Sequence, residues 1–175
     1  INTIVITCAD TDLLSTTNQY IALKYLDEIK EGAQILKKIT NVSKLCITVP
    51  ENLNLQGGFD SIQVYNTRME YPSNLPAMVL KDHLNIVLPP GKTPEDLGVC
   101  FMSAEAVVSL ANAYKTKSAN YEKILTIIGK QGTQYRVKAT IGTPLRKIFN
   151  TFSIHVNDYD RIVVGGPMKG FATYT

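Results

Sequence analysis

The sequence predicts an α/β fold in two parts, a larger one built on a strand–helix–strand unit and a smaller one built from strand, strand, helix and strand. Near the start, short β-branched runs flank a segment of helical periodicity, as in the units that build parallel sheets. In the last third, apolar and polar residues alternate strictly, which is typical of a hairpin with one solvent-exposed face. A composition of 45% hydrophobic and 19% charged residues in 175 is that of a globular protein with a real core.

The first three elements form the βαβ unit. Residues 4–8 (IVITC) are β-branched and predict a buried strand that ends in an acidic loop at residues 10–12. Residues 25–39 have apolar positions at helical spacing, with acids early and lysines late, which suits a helix dipole. Residues 44–49 (KLCITV) predict the next strand, which Pro50 ends.

The middle of the chain continues the larger part. Residues 61–67 predict a strand, residues 74–84 a short helix with a proline in its first turn, and residues 87–98 a loop rich in proline and glycine. Residues 99–102 predict another strand, and Ser103 can cap the helix that follows. That helix carries an apolar stripe, which predicts core packing: Ala104, Val107, Val108, Ala111 and Tyr114.

The smaller part begins with a predicted hairpin over residues 123–142, turning at residues 130–132. One face of its second strand is apolar: Tyr135, Val137, Ala139 and Ile141. Thr143 is then expected to cap a helix with Pro144 at its first position, and residues 161–164 predict a last strand. The buried side of that helix is predicted to consist of Leu145, Ile148, Phe149 and Phe152. This order is that of a small β-grasp-like unit, so we place the domains at 1–116 and 121–175.

Composition excludes several classes of function. No apolar run approaches the ~18 residues that a membrane span needs, and the first nine residues lack the features of a signal peptide. The net charge of +3 is scattered, which argues against nucleic-acid binding. Three isolated cysteines suit a reducing compartment and lack the spacing of a zinc or iron–sulfur site: Cys8, Cys46 and Cys100. His83 and His155 are expected on the surface or in loops.

The acids at the end of the first strand allow two interpretations. Asp10 and Asp12 could hydrogen-bond a ligand or cation, in which case they should lie exposed at the carboxyl end of that strand, beside Ser103. Alternatively, they are a loop acid and a helix cap, which the residues alone favour. The pair Gly57-Gly58 is predicted to be a turn, because no helix follows it at the spacing of a nucleotide-binding loop.

The end of the chain points to a family. The segment VVGGPMKGF, preceded by ILTIIGKQG and IGTPLRKIF, resembles the soluble-ligand-binding β-grasp module in the C subunit of Rnf-type electron transport complexes. Upstream, YLDEIKEGAQIL and LGVCFMSAEAV resemble helix and strand segments of the same family, and EYPSNLPAMVL occupies the place of a motif that begins Tyr-Pro. The resemblance covers nearly the whole chain. The same fold occurs in the flavin- and NADH-binding subunit of respiratory complex I.

The resemblance implies a function for the longer protein. It implies that residues 1–116 form a Rossmann-like domain like that of the complex I flavin subunit, and that residues 121–175 form the β-grasp module. The protein would be a peripheral subunit of a membrane-bound redox complex, on the inner face of the bacterial cytoplasmic membrane, relaying electrons between NADH or flavin and iron–sulfur centres. Its partners would be the other subunits and NADH, and its cofactors FMN and 4Fe–4S clusters.

The chain also departs from the family pattern. The acidic loop, Glu-x-Glu-Pro in the family, is Asp-Thr-Asp-Leu at residues 10–13, and the Tyr-Pro motif continues into residues 73–76 (SNLP) instead of Gly-Gly-Glu. The family's earlier glycine-rich loop and later cysteine cluster are missing, which suggests an excised fragment. The resemblance transfers a degenerate cofactor site to four residues: Asp10, Asp12, Asn74 and Ser103.

From these departures we expect that the segment binds neither flavin nor NADH tightly and is inactive alone. A non-catalytic binding module or scaffold that has lost the site is the alternative, and an unrelated soluble α/β enzyme is a third interpretation. A rigid turn is predicted to pack on the first domain through Met168, formed by Gly165, Gly166, Pro167, Met168 and Gly170.

Overall fold

A computed structural model describes residues 1–53, 55, 59 and 62–174. The chain divides into two compact units: residues 1–11 with 18–120, and residues 12–17 with 121–175. The inclusion of residues 12–17 in the second unit was not expected from the sequence. The described residues confirm the mixed α/β class, with one parallel sheet and smaller antiparallel ones.

A parallel sheet of four strands forms the centre of the first unit. The strands are β1 (Thr3–Thr7), β2 (Lys44–Pro50), β3 (Gln63–Thr67) and β4 (Val99–Ser103), in the order β3-β2-β1-β4. In the register of the sheet, Ile4 lies opposite Leu45 on β2 and opposite Cys100 on β4. The β-branched runs of β1 and β2 are buried nearly throughout, as expected for strands covered on both faces.

In the described part of the chain, four α-helices accompany this sheet. They are α1 (Thr17–Lys24), α2 (Leu26–Thr40), α3 (Pro76–Leu84) and α4 (Ala104–Thr116). A short 3₁₀ turn, Glu95–Leu97, lies within the predicted loop. Helix α1 was not predicted, because its eight residues carry only a brief apolar run among polar ones.

Side chains pack on both faces of the sheet. On one face, α3 contributes to a core cluster with strand residues: Val5, Cys46, Val79, Leu80 and Val99. The alternate positions Ile4, Ile6 and Ile47 point to the opposite face and are also buried. Helices α2 and α4 pack tightly on each other, because a β-carbon at Gly32 would lie 2.5 Å from the Val107 carbonyl oxygen.

The apolar stripe of α4 is confirmed except at its end. Its first four members are buried: Ala104, Val107, Val108 and Ala111. The prediction for Tyr114 is wrong, because this side chain is 51% exposed, with the Lys117 ammonium 4.2 Å from its ring centroid. Tyr114 lies in the last turn of α4, which extends past the buried part of the helix.

Up to residue 174, the second unit contains two antiparallel hairpins and a helix. Strands β5 (Glu122–Ile128) and β6 (Gln134–Thr140) form the first hairpin, α5 (Leu145–Thr151) follows, and β7 (Ile162–Val164) pairs with β8 (Phe171–Thr173). In the described residues these hairpins form separate two-stranded sheets. The β-grasp assignment therefore stays a prediction. Strand β8 was not expected.

Some details of the second unit differ from the sequence prediction. The cap of α5 is Pro144 in an extended conformation, and the Thr143 hydroxyl donates instead to the Thr140 carbonyl at 2.7 Å. Thr143 is thus used to close the turn after β6. Helix α5 buries Ile148 and Phe149, but the prediction that Leu145 and Phe152 lie on its buried side is wrong, because both are exposed. On the predicted apolar face of β6, Tyr135 and Ala139 are half-buried.

One apolar position of the predicted hairpin also differs. Val137 is buried at the centre of β6, but Ile141, directly after the end of that strand at Thr140, is exposed. Among the described residues, no helix combines the length and the apolar character needed to cross a membrane.

Candidate functional site

The carboxyl edge of the parallel sheet brings three predicted site residues to one side of the first unit. Asp10 follows β1, Asn74 follows β3, and Ser103 ends β4, where it pairs with Thr7 in the sheet register. The chain places β2 and β3 on one side of β1 and β4 on the other, so the strand order reverses between β1 and β4. Ligands of open α/β sheets bind in the crevice at such a reversal. We define this carboxyl edge as the candidate site.

Asp10 caps helix α1. Its carboxylate accepts hydrogen bonds from the backbone N–H groups of Asn18 at 3.1 Å and Gln19 at 3.2 Å. The side-chain amide of Asn18 adds a longer contact of 3.4 Å. Asp10 is only 8% exposed, whereas the ligand interpretation required it to lie exposed. Of the two interpretations left open by the sequence, the helix cap is the one that these contacts favour.

Asp12 belongs to the second unit. Its carboxylate accepts hydrogen bonds from the backbone N–H groups of Leu13, Met168 and Lys169. Two of these donors are 156 and 157 residues away in the chain, which is why no local pattern predicted them. The role of Asp12 toward a cofactor stays untested.

Asn74 is the most unusual polar residue of the candidate site. It is 9% exposed, and its Nδ2 donates to the Arg68 carbonyl at 3.0 Å. Its Oδ1 is buried without a hydrogen-bond partner. Leaving such an acceptor unpaired costs about 1–3 kcal/mol, so this atom is a place where a ligand donor would be favourable.

Ser103 caps helix α4, as predicted. Its hydroxyl oxygen accepts a hydrogen bond from the Ala106 N–H at 3.2 Å, and Glu105 lies in the same first turn. Next to it, the Thr7 hydroxyl donates to the Met102 carbonyl at 3.3 Å. A side-chain cap and an acid at this helix start both reduce its attraction for a phosphate.

Two cysteines of the first unit are protonated at neutral pH. Burial raises the pKa of Cys8 to about 12, with the Asp10 charge adding to the effect, and raises the pKa of Cys46 to about 11. Neither thiol is therefore a thiolate nucleophile or a ready metal ligand. In the part of the chain that the structure describes, no three His, Cys, Asp or Glu side chains lie together in a way that could hold a metal ion.

The two histidines differ in their structural surroundings. His83 lies on α3 and stacks on Tyr65 with ring centroids 5.1 Å apart, so it is not a loop histidine, whereas His155 is exposed as expected. The predicted turn at Gly57 and Gly58 lies outside the described residues.

The glycine-rich turn connects β7 to β8. Gly165 and Gly166 have φ values of 94° and 96°, and the Gly170 N–H donates to the Gly166 carbonyl at 2.9 Å. A compact turn at this place is therefore observed. Met168 is 49% exposed, and its contact with Asp12 is made by its main chain. The predicted packing of Met168 on the first domain stays a prediction.

The fold and the candidate site together define an α/β protein whose parallel sheet reverses strand order beside a polar carboxyl edge. No family model matches the chain. Curated relatives are the C subunits of the ion-translocating oxidoreductase complexes of Pasteurella multocida, 25% identical over 96% of this chain, of Pectobacterium carotovorum, 26% over 98%, and of Vibrio cholerae, 25% over 96%.

These relatives confirm the resemblance found in the sequence. The chain is homologous over nearly its whole length to the C subunit of the ion-translocating oxidoreductase complex, the Rnf-type complex. It spans 21%, 24% and 23% of the lengths of the three relatives, in the same order.

Proposed function

We propose that this chain is a segment of a peripheral electron-transfer subunit in a membrane-bound Rnf-type complex. The observation that carries the proposal is the alignment of relatives named as C subunits of an oxidoreductase complex over 96–98% of the chain. The longer protein would relay electrons between NADH or flavin and iron–sulfur centres, beside the other subunits on the inner face of the bacterial cytoplasmic membrane. Residues 1–116 would correspond to the domain of the complex I flavin subunit, and 121–175 to the β-grasp module.

Within that protein, we assign this segment a role in docking and weak ligand binding. A tightly held flavin or dinucleotide needs free N–H groups for its phosphate. At the candidate site the Leu75 N–H donates to the Pro72 carbonyl, Pro76 has no N–H, and the Ala106 N–H is taken by Ser103. These residues do not fit a tightly held flavin.

An iron–sulfur cluster does not fit the described residues either. Clusters are held by sets of cysteine thiolates, but Cys8 and Cys46 are buried as neutral thiols and Cys100 is a separate free cysteine. Electron carriers of the complex would therefore be bound by other parts of the longer protein.

Titration calorimetry with FMN and with NADH tests the assignment of the segment. We expect no submicromolar affinity of the 175-residue chain for either ligand, because the phosphate donors are already used. Submicromolar binding of either one would show that the site is intact and that the segment itself holds a carrier.

Membership of the complex is tested separately. The full-length protein, tagged and isolated from membranes of its source organism, should co-purify with other subunits and with NADH-oxidising activity. Recovery of the protein alone, without either, would contradict the proposed place in a redox complex whatever the calorimetry shows.

A non-catalytic scaffold is the second candidate function. Two observations favour it: the Asp10 carboxylate is used as a helix cap, and the Leu75-Pro76 pair stands where the family has glycine and an acid. A full-length protein that joins the complex but carries neither flavin nor iron–sulfur absorbance would support the scaffold over the relay.

A further inference from the structure

The carboxylate of Asp12 is bound by three backbone N–H groups of the second unit. Oδ1 accepts from Leu13 at 2.7 Å and from Met168 at 3.1 Å, and Oδ2 accepts from Lys169 at 3.0 Å. The Met168 N–H is also 3.3 Å from Oδ2, so it is shared between the two oxygens. Hydrogen bonds to an ionised acceptor are the stronger class in proteins.

The turn passes so close to this carboxylate that it leaves no room for a side chain at Gly166. A β-carbon at Gly166 would lie 2.5 Å from the Asp12 Cγ and 2.6 Å from its Oδ2, so a side chain there would overlap the acid. Both Gly165 and Gly166 have positive φ values, which glycine adopts at little cost. Successive N–H groups in a turn of this kind form a concavity for anions.

We propose that the turn at residues 165–170 is an oxyanion-binding turn and that Asp12 is its built-in ligand. The contact fastens residues 12–17 to the second unit. A second contact supports this attachment, because the Thr17 and Thr126 hydroxyl oxygens lie 2.7 Å apart at the other end of that segment. In this proposal the Asp12 carboxylate binds the turn and is not a cofactor ligand.

Amide exchange of the full 175-residue chain tests the contact directly. In Asp12→Ala, exchange at Met168 and Lys169 should be at least about tenfold faster, because both amides lose a charged acceptor. Asp96→Ala is the matched control: Asp96 accepts from the Thr93 N–H at 2.9 Å in an exposed turn of the first unit. The control should leave Met168 and Lys169 unchanged.

Sodium formate then tests whether the turn recognises an oxyanion. Added to Asp12→Ala, formate should slow exchange at Met168 and Lys169 in a saturable way, whereas sodium chloride at equal ionic strength should not. Unchanged exchange in Asp12→Ala, or equal effects of the two salts, would overturn the proposal.

A double-mutant cycle with Gly166→Ala gives an independent measurement. In the wild type the alanine methyl would overlap the Asp12 Cγ and Oδ2 as well as its Cβ, whereas in Asp12→Ala only the Cβ, 2.8 Å away, remains. Gly166→Ala should therefore shift the denaturation midpoint less in that background. Additive shifts would contradict the contact.

A conservative variant keeps the proposal testable if Asp12→Ala does not fold. Asp12→Asn keeps an acceptor oxygen without charge, and its exchange rates at Met168 and Lys169 should lie between those of the wild type and those of free turn amides. Wild-type rates in Asp12→Asn would exclude a role for the charge.

Discussion

At Gly166 and Gly142 the backbone has nearly the same positive φ, 96° and 91°, but the space beside the two α-carbons differs. A β-carbon at Gly142 would have no atom within 4 Å, whereas one at Gly166 would overlap the Asp12 carboxylate. Substitutions at these two positions of the second unit therefore distinguish the effect of backbone strain from the effect of steric overlap.

Gly166→Val is expected to lower the free energy of unfolding by more than the ~1 kcal/mol typical of point substitutions, because a β-branched residue is strained at positive φ and also meets Asp12. Urea denaturation measures the change, and Gly142→Val is the control that carries only the strain. An unchanged midpoint and slope for Gly166→Val would mean that the turn is loosely held. Equal losses in both variants would remove the contact with Asp12 from the explanation.

At the scale of elements, the contact between α2 and α4 depends on one small residue. Gly32 is buried on α2, and a β-carbon there would meet both the Val107 carbonyl oxygen at 2.5 Å and the Val107 Cγ1 at 2.6 Å. The oxygen belongs to the backbone of α4, so the overlap is relieved only if the two helices move apart.

Gly32→Ala should therefore destabilise the protein although alanine is the better helix former. Propensity favours alanine by about 1 kcal/mol, but separating two packed helices costs more, typically about 1–3 kcal/mol for overpacking. Thermal unfolding followed by circular dichroism should show a lower midpoint. Gln34→Ala, at an exposed position on the same helix, should leave the midpoint nearly unchanged. A higher midpoint for Gly32→Ala would show that the helices are not in close contact.

At the scale of the whole molecule, two buried thiols link stability to pH. In the unfolded chain a cysteine loses its proton near pH 9.0, but in the fold burial raises the pKa of Cys8 to about 12 and that of Cys46 to about 11. Above pH 9 the unfolded state thus binds fewer protons than the native state, so the free energy of unfolding falls as pH rises.

We expect this stabilisation to be complete below pH 9 and to be lost as the pH rises toward 12, with a slope of at most about 1.4 kcal/mol per pH unit for each cysteine. Urea denaturation at pH 8, 9, 10 and 11 measures it. Lysines and tyrosines titrate in the same range, so the informative quantity is the difference between the wild type and Cys8→Ala, whose curve should be flatter. Identical slopes in the two proteins would contradict the burial of Cys8 as a neutral thiol.

Much of the fold was predictable because the sequence patterns that indicate its elements each span only a few residues. The parallel strands, helices α2 to α4 and the β5–β6 hairpin each follow from periodicity within a few residues, and the Ser103 cap follows from its position before an apolar stripe. Helix α1 and strand β8 escaped prediction because they are short. Helix α1 depends on Asp10, seven residues before its first residue, for its cap.

The candidate site was predictable in position but not in its contacts. The sequence was sufficient to place Asp10 and Ser103 at the carboxyl ends of parallel strands, because each strand is recognised from a few neighbouring residues. It also indicated homology with the C subunit of an oxidoreductase complex, because motifs can be matched in order along the chain. The folded chain was needed to show that Asp10 caps a helix, that the Asn74 Oδ1 is buried without a partner, and that Asp12 binds the turn before β8. Hydrogen bonds between groups 156 residues apart leave no periodic trace in a sequence, since their partners meet only when the chain has folded.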